Sequence, residues 1–239
     1  MLTREEDHVN DHLLDRSIPY RQAIGSLLYL STISRPDISF AVNYLSRFSS
    51  KPKNSHWKMI KRVFQYLKGS IHFGIHFDGS TKLIAYTDSD YGGDLTTGQS
   101  TSGVLVLCGG PILWYAKKQH LVATSTAEAE YRAAVCSIDD ICWIRRLGHE
   151  LNFINLEEPV TLFIDNWSAI YMLKSSGEGK ISKGKKHIEI PRKFIQQHIG
   201  KTVELQHIRS SDQLADIFTK ALDRKAFQKI RYYIIKEEC

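Results

Sequence analysis

Cysteine is scarce in this chain, and none of it is arranged for metal or for bridging. Cys108, Cys136, Cys142 and Cys239 form no C-x-x-C spacing, which leaves no framework for a zinc knuckle or a disulfide scaffold. Cys108 and Cys136 lie inside apolar patterns and are expected as reduced core thiols. Long apolar runs are missing as well, since none approaches the roughly 18 residues that cross a bilayer. Met1-Leu-Thr-Arg-Glu-Glu-Asp7 lacks the charged-then-apolar layout of a signal peptide. The expectation is an intracellular protein, cytoplasmic or nuclear, that is neither secreted nor membrane-bound. No Pro/Gly/Ser-rich or low-complexity tract occurs, so disorder is not the default. Histidines do not converge: His120, His149, His187, His198 and His207 are scattered, against both zinc chemistry and a Ser-His-Asp arrangement.

What is present is a globular composition, 42% apolar over 239 residues. That length suits one full domain and a smaller attached piece, given usual domains of roughly 100–200 residues. A formal charge of +6 and a pI near 9.0 favour a polyanionic partner. Pro19-Tyr-Arg-Gln-Ala-Ile-Gly-Ser-Leu-Leu-Tyr-Leu30 reads as a helix, and Arg35-Pro-Asp37 stops it and starts another, with Ile38, Ala41, Val42 and Leu45 on one face. A third helix carries Trp57, Ile60, Phe64 and Leu67 at helical spacing, with Gly69 placed to cap it. The outer faces of this small bundle hold Lys51, Lys53, Lys58, Lys61, Arg62 and Lys68, a face suited equally to water and to phosphates.

Beyond Gly69 the hydrophobic period shortens to about two, and a domain boundary is placed between Gly69 and Ser80, dividing the chain into 1–75 and 76–239. Strands are expected at Lys82–Thr87, Gly103–Cys108 and Ile112–Ala116, with Gly109-Gly-Pro111 as a turn. A long helix from about Ser125 to Leu151 opens on a capping-box pattern, Ser125 to Glu128, and buries Tyr131, Ala134, Ile138 and Ile141. Val160–Ile164 reads as a buried strand, followed by helices at Asn166–Lys174, near His187–His198 and near Asp212–Ala221, with a strand at Thr202–His207. This order implies an α/β fold with a mixed five-stranded sheet flanked by helices, its first strand parallel to the Val160 strand through a helical crossover. Asp88 and Asp165, each at the C-terminal end of its strand, would then stand close enough to share a cation.

A lone aspartate after a strand is ordinary turn chemistry. Asp88, Glu130, Asp165 and Asp216 together are a different matter. Hard divalent ions need several oxygen ligands, and carboxylates from separate elements can seat two ions about 3.5–4 Å apart, the arrangement that cleaves phosphodiesters.

Tyr86-Thr-Asp-Ser-Asp-Tyr-Gly-Gly-Asp94, Ser100-Thr-Ser-Gly103, Trp114-Tyr-Ala-Lys-Lys-Gln119, Thr124-Ser-Thr-Ala-Glu-Ala-Glu-Tyr131, Trp143-Ile-Arg-Arg-Leu147, Ile164-Asp-Asn-Trp-Ser-Ala169, Lys186-His-Ile188 and Asp212-Gln-Leu-Ala-Asp-Ile-Phe-Thr-Lys220 together resemble the ribonuclease H domain that ends the Pol polyprotein of copia-type retrotransposons. Tyr20–Leu30, Arg35-Pro-Asp37 and Tyr66-Leu-Lys-Gly69 resemble the segment joining that family's reverse transcriptase to its ribonuclease. The resemblance implies a ribonuclease H-like fold after a helical remnant of the reverse transcriptase thumb or connection. It implies Asp88, Glu130, Asp165 and Asp216 as catalytic ligands of two Mg2+ ions, with Mn2+ able to substitute. Glu128 is the fallback for Glu130; Asp90 and Asp94 are expected as turn or supporting groups, and Asp212 as a helix-start residue.

The implied activity is endonucleolytic hydrolysis of the RNA strand of RNA–DNA hybrids, with a reverse transcriptase domain in trans as a further partner. The alternative is a catalytically silent remnant that binds nucleic acid. Lys180, Lys183, Lys185 and Lys186, within the basic stretch Lys174–Lys201, are the expected substrate-binding residues. Trp114 and Trp167 are open between core and duplex. Two departures stand out: His207-Ile-Arg-Ser-Ser-Asp212 lacks the loop histidine of many cellular enzymes, which implies slower turnover, and Pro191 interrupts the usual run after Lys186-His-Ile188. Ile138-Asp-Asp-Ile141 imitates a polymerase aspartate pair but lies in a helical pattern, and no polymerase activity is expected.

Overall fold

The structure, a computed structural model, describes residues 11–175 and 193–237. Near the start, α1 (Tyr20–Ile33) buries Tyr20, Ile24, Leu27 and Ser31 along one stripe. Arg35 precedes Pro36, which opens a 3-10 turn (Pro36–Ile38) running into α2 (Ser39–Ser46). In α3 (Asn54–Lys68) the buried positions are His56, Ile60 and Val63. Phe64, expected on that face, is 40% exposed, because Val63 takes the inward position one residue earlier. Gly69 follows α3 at φ −80, so its left-handed freedom is not used there.

The main sheet has the order β4-β3-β2-β5-β6, formed by β2 (Leu83–Asp90), β3 (Thr101–Cys108), β4 (Pro111–Lys118), β5 (Val160–Ile164) and β6 (Val203–His207). The first three make the expected antiparallel meander. β2 lies parallel to β5, and β5 parallel to β6. Pro111 belongs to β4, so the hairpin turn is Gly109-Gly110 alone. Gly109 sits at φ +66, where a Cβ would also fall 2.8 Å from the Ser80 carbonyl oxygen, and only glycine meets both demands.

Helix α4 (Thr126–Glu150) makes the crossover from β4 to β5. Its buried stripe of Tyr131, Ala134, Ile138 and Ile141 packs on Ala85, Val104, Val106, Leu162 and Ile164. Cys136 falls off that stripe and is exposed, whereas Cys108 and Cys142 are buried thiols. Asp139 and Asp140 lie within α4, and Tyr115 donates to Asp140 Oδ2 at 2.8 Å. Helix α5 (Trp167–Lys174) starts one residue late because Asn166 is its N-cap, accepting from the Ala169 amide at 3.1 Å. Residues 193–198 are helical.

The opposite face of the sheet is covered by the C-terminal segment, with Leu214, Ile217, Phe218, Ile230 and Ile234 against Leu105. The helix expected near Asp212–Ala221 is instead two 3-10 turns, Ser210–Asp212 and Leu214–Phe218. Side chains of buried Gln213 and Thr219 make local hydrogen bonds to main-chain groups and compete with a regular helix. A true helix begins afterwards at Arg224–Ile234, capped by Asp223, whose Oδ1 accepts from the amides of Lys225 and Ala226. A two-residue strand β1 (Phe73–Gly74) pairs antiparallel with β7 (Lys236–Glu237).

Several contacts seam the helical segment to the sheet. Trp114 Nε1 donates to the Ser31 carbonyl at 2.7 Å, and Arg47 reaches Thr101 Oγ1 at 3.2 Å and Asp94 at 3.3 Å. Arg35 makes a two-pronged contact with Asp37, Tyr66 donates to Asp37 at 2.6 Å, and Arg231 of the last helix donates to the Tyr66 hydroxyl at 3.3 Å. Among the described residues no helix is long and apolar enough to cross a membrane.

Candidate metal centre

Sheet register brings the first two acids together. Tyr86 is level with Phe163 across the parallel β2–β5 pair, so Asp88 and Asp165, two residues further along each chain, emerge side by side. Asp165 follows the last residue of β5, as expected. Asp88 lies inside its strand, because antiparallel pairing with β3 carries β2 on to Asp90. Helix α4 supplies the third acid. Asp88, Glu130 and Asp165 can each place a carboxylate oxygen within 4.8 Å of the others.

Glu130 and Glu128 have different surroundings. Glu130 Oε1 accepts from the Ser89 amide at 2.9 Å and the Ser89 hydroxyl at 3.2 Å, while Oε2 is buried with no hydrogen-bond partner. Glu128 is consumed by the helix start: Oε2 accepts from Thr124 N and Oγ1 at 2.8 and 2.6 Å, Oε1 from Arg132 at 2.6 Å. Ser125 caps the helix by accepting from the Glu128 amide at 3.2 Å. Only half of the expected box is therefore made: the return bond from Glu128 goes to Thr124, one residue before the cap, and not to Ser125.

Asp216 sits on the turn Leu214–Phe218 and is buried. It stands outside the three-acid set but beside Asp88, and both face Lys220, whose Nζ is 2.9 Å from Asp216 Oδ1 and 3.8 Å from Asp88 Oδ2. Thr219 donates a short hydrogen bond to Asp88 Oδ2. Gln213, fully buried, donates to the Thr87 carbonyl at 2.9 Å and so ties the turn to β2. Ser210 donates to Asp165 Oδ2 at 2.8 Å.

Burial and mutual repulsion set the protonation. Burial, then the Asp88 and Asp165 charges, pushes Glu130 up to about 9. Burial, then Asp88, pushes Asp216 up to about 7. For Lys220 burial acts downward, and the Asp88, Asp216 and Asp165 carboxylates outweigh it and raise its pKa. The donor set fits a hard divalent cation: it is all oxygen, three carboxylates lie within reach of one ion, and a buried Glu130 oxygen has no other partner.

The remaining expected residues fall elsewhere. Asp94 closes a turn by accepting from the amides of Thr96 and Thr97, and also binds Lys118 at 2.5 Å. Asp212 pairs with Lys229 at 2.8 Å. Lys180, Lys183, Lys185, Lys186 and Pro191 lie outside the described residues. Trp114 holds the helical segment, whereas Trp167 is 66% exposed and stacks on His207, ring centroids 4.3 Å apart, beside Asp165. Lys51, Lys53, Lys58, Lys61, Arg62 and Lys68 are all exposed. Gln213, Thr219 and Lys220 were not anticipated. Their only sequence signal is that they share the block Asp212–Lys220 with Asp216.

No family model matches the chain. The retrovirus-related Pol polyprotein from transposon RE2 of Arabidopsis thaliana is 39% identical over 213 residues, covering 87% of this chain and 14% of that protein. The corresponding polyprotein from transposon RE1 of the same plant is 40% identical over the same shares. Among solved structures, LC11-RNase H1, isolated from compost, is 20% identical, covers 62% of this chain and 97% of that chain, and has a TM-score of 0.42. The chain thus spans 14% of the length of the first two polyproteins, and 87% of it matches that segment of the copia-type retrovirus-related Pol polyproteins of transposons.

Proposed function

We propose that the chain is a ribonuclease H: an endonuclease that uses magnesium to hydrolyse the RNA strand of RNA–DNA hybrids. One observation carries the proposal, the meeting of Asp88, Glu130 and Asp165 oxygens within 4.8 Å with one Glu130 oxygen unpartnered. Asp88, Glu130, Asp165 and Asp216 are the proposed ligands, in a ribonuclease H-like domain of residues 76–239 that follows a reverse transcriptase remnant of residues 1–75. Two magnesium ions, or manganese in their place, would supply an activated water and a clamp on the leaving 3′-oxygen when bound.

The chain's own groups do the positioning. Ser89 fixes the rotation of the Glu130 carboxylate, Ser210 orients Asp165, and Thr219 orients Asp88. The net charge of +6 suits a duplex of phosphates. Selection for RNA would rest on successive 2′-hydroxyls and hybrid groove shape, without base readout. An intracellular setting and a reverse transcriptase partner in trans belong to the same reading.

Cleavage of a labelled RNA–DNA hybrid in Mg2+ tests it. The wild-type chain should cut the RNA strand at many positions, and Asp165→Asn should lower the rate by at least about a hundredfold, the scale of losing a charge-stabilising group in a catalytic site. Equal rates in the two proteins would refute the assignment. Salt-dependent hybrid binding without cleavage would instead identify a silent nucleic-acid-binding remnant.

A further inference from the structure

Positive charge is already built into one side of the acid pocket. Asp88, Glu130 and Asp165 form a set open to a cation, but Asp216 faces a cation that belongs to the chain. Lys220 follows Asp216 by four residues, and the turn Leu214–Phe218 carries it back so that Nζ lies 2.9 Å from Asp216 Oδ1 and 3.8 Å from Asp88 Oδ2. The lysine side chain is 38% exposed against 3% for Asp88 and 11% for Asp216, so the ammonium closes over both carboxylates from the solvent side. The acids beneath it are held in place. Thr219 binds the same Asp88 oxygen, and Gln213 anchors the turn to β2.

We propose that Lys220 is a tethered single charge that guards the Asp88–Asp216 side of the pocket, so that one divalent ion binds tightly through Asp88, Glu130 and Asp165 and a second binds only by displacing Lys220. This rests on the metal reading given above and adds that the two halves of the site differ in affinity, with Lys220 as the cause. The physical ground is charge. An ammonium a few ångströms from a site repels a dication twice as strongly as it would a monovalent ion, and a poorly hydrated pocket preserves that repulsion. Lys220 is thereby a positioning residue, deciding when the second half of the site is free.

Isothermal titration of the full chain with Mn2+ tests the proposal on the wild type, Lys220→Gln, Lys220→Met, Lys220→Arg and Asp165→Asn. The wild type and Lys220→Arg should take up one tight ion. Lys220→Gln and Lys220→Met should bind a second ion at least about tenfold more tightly than the wild type does, the least that removing a nearby like charge should bring. Asp165→Asn should lose the tight ion. Two neutral replacements guard against loss of packing in one of them, and far-UV circular dichroism identifies the folded one. Unchanged second-ion affinity in a folded neutral variant, or an arginine variant that behaves like the neutral ones, overturns the role of Lys220 and leaves the metal site standing. No Mn2+ uptake by the wild type overturns the metal reading and this proposal together.

Discussion

Glu128 and Glu130 are two residues apart on α4, yet their carboxylates have opposite circumstances. Glu128 is hydrogen-bonded at both oxygens by Thr124 and Arg132, and Glu130 carries a buried oxygen with no partner. Glu128→Gln should therefore cost about 1 kcal/mol in urea denaturation, as for a lost helix-start contact, and leave hybrid cleavage close to wild type. Glu130→Gln should do the reverse, keeping or raising stability while cleavage falls by at least about a hundredfold. The pH dependence carries the same signature. Folding raises Glu130 from 4.5 to about 9 and Asp216 from 3.8 to about 7. Between those limits the unfolded chain has released protons that the folded chain retains, so stability falls as pH rises. With chelator present, urea unfolding should show stability declining from about pH 4 up to about 7 for Asp216, and on to about 9 for Glu130. Glu130→Gln should flatten the upper part of the decline, and Mn2+ should oppose it.

At the level of elements, the site depends on a strand pressed against a turn. Gly103 of β3 is paired with Asp88, and a Cβ there would lie 2.6 Å from Thr219 Cγ2 and 2.8 Å from the Ala215 carbonyl oxygen. Gly103→Ala should destabilise the chain by about 1–3 kcal/mol through overpacking. It should also weaken cleavage by moving Thr219 and Asp216, as urea melts and cleavage rates measured on one preparation would reveal. Strands with a clean two-residue period, and the long stripe Tyr131, Ala134, Ile138 and Ile141, were legible from sequence because their burial repeats. The ends of β2 and the turns at Ser210–Asp212 and Leu214–Phe218 were not. Pairing with β3 prolongs β2 through polar residues, and Leu214, Ile217 and Phe218 are spaced as they would be in an α-helix. For the centre itself, the acids could be named from their motifs. Lys220 could not, because only the folded turn brings its ammonium back over Asp88.

Across the whole molecule, the helical segment is joined to the last helix, which itself packs on the sheet, by a run of buried and half-buried polar contacts. Arg35 and Asp37 have side chains 8% and 0% exposed, and Tyr66 extends the contact to Arg231 on the last helix. Removing Asp37 strands a buried guanidinium, so Asp37→Ala should cost about 3–5 kcal/mol in equilibrium denaturation. A loss below about 1 kcal/mol would mean that the seam carries little of the chain's stability. Strand order has its own consequence for how the molecule breathes. Because β2 is the middle strand, bonded to β3 on one side and β5 on the other, fraying must consume an outer strand before it reaches Asp88. The backbone amides around that aspartate should thus be among the last to trade hydrogen for deuterium, keeping the carboxylate aimed while the periphery opens and closes.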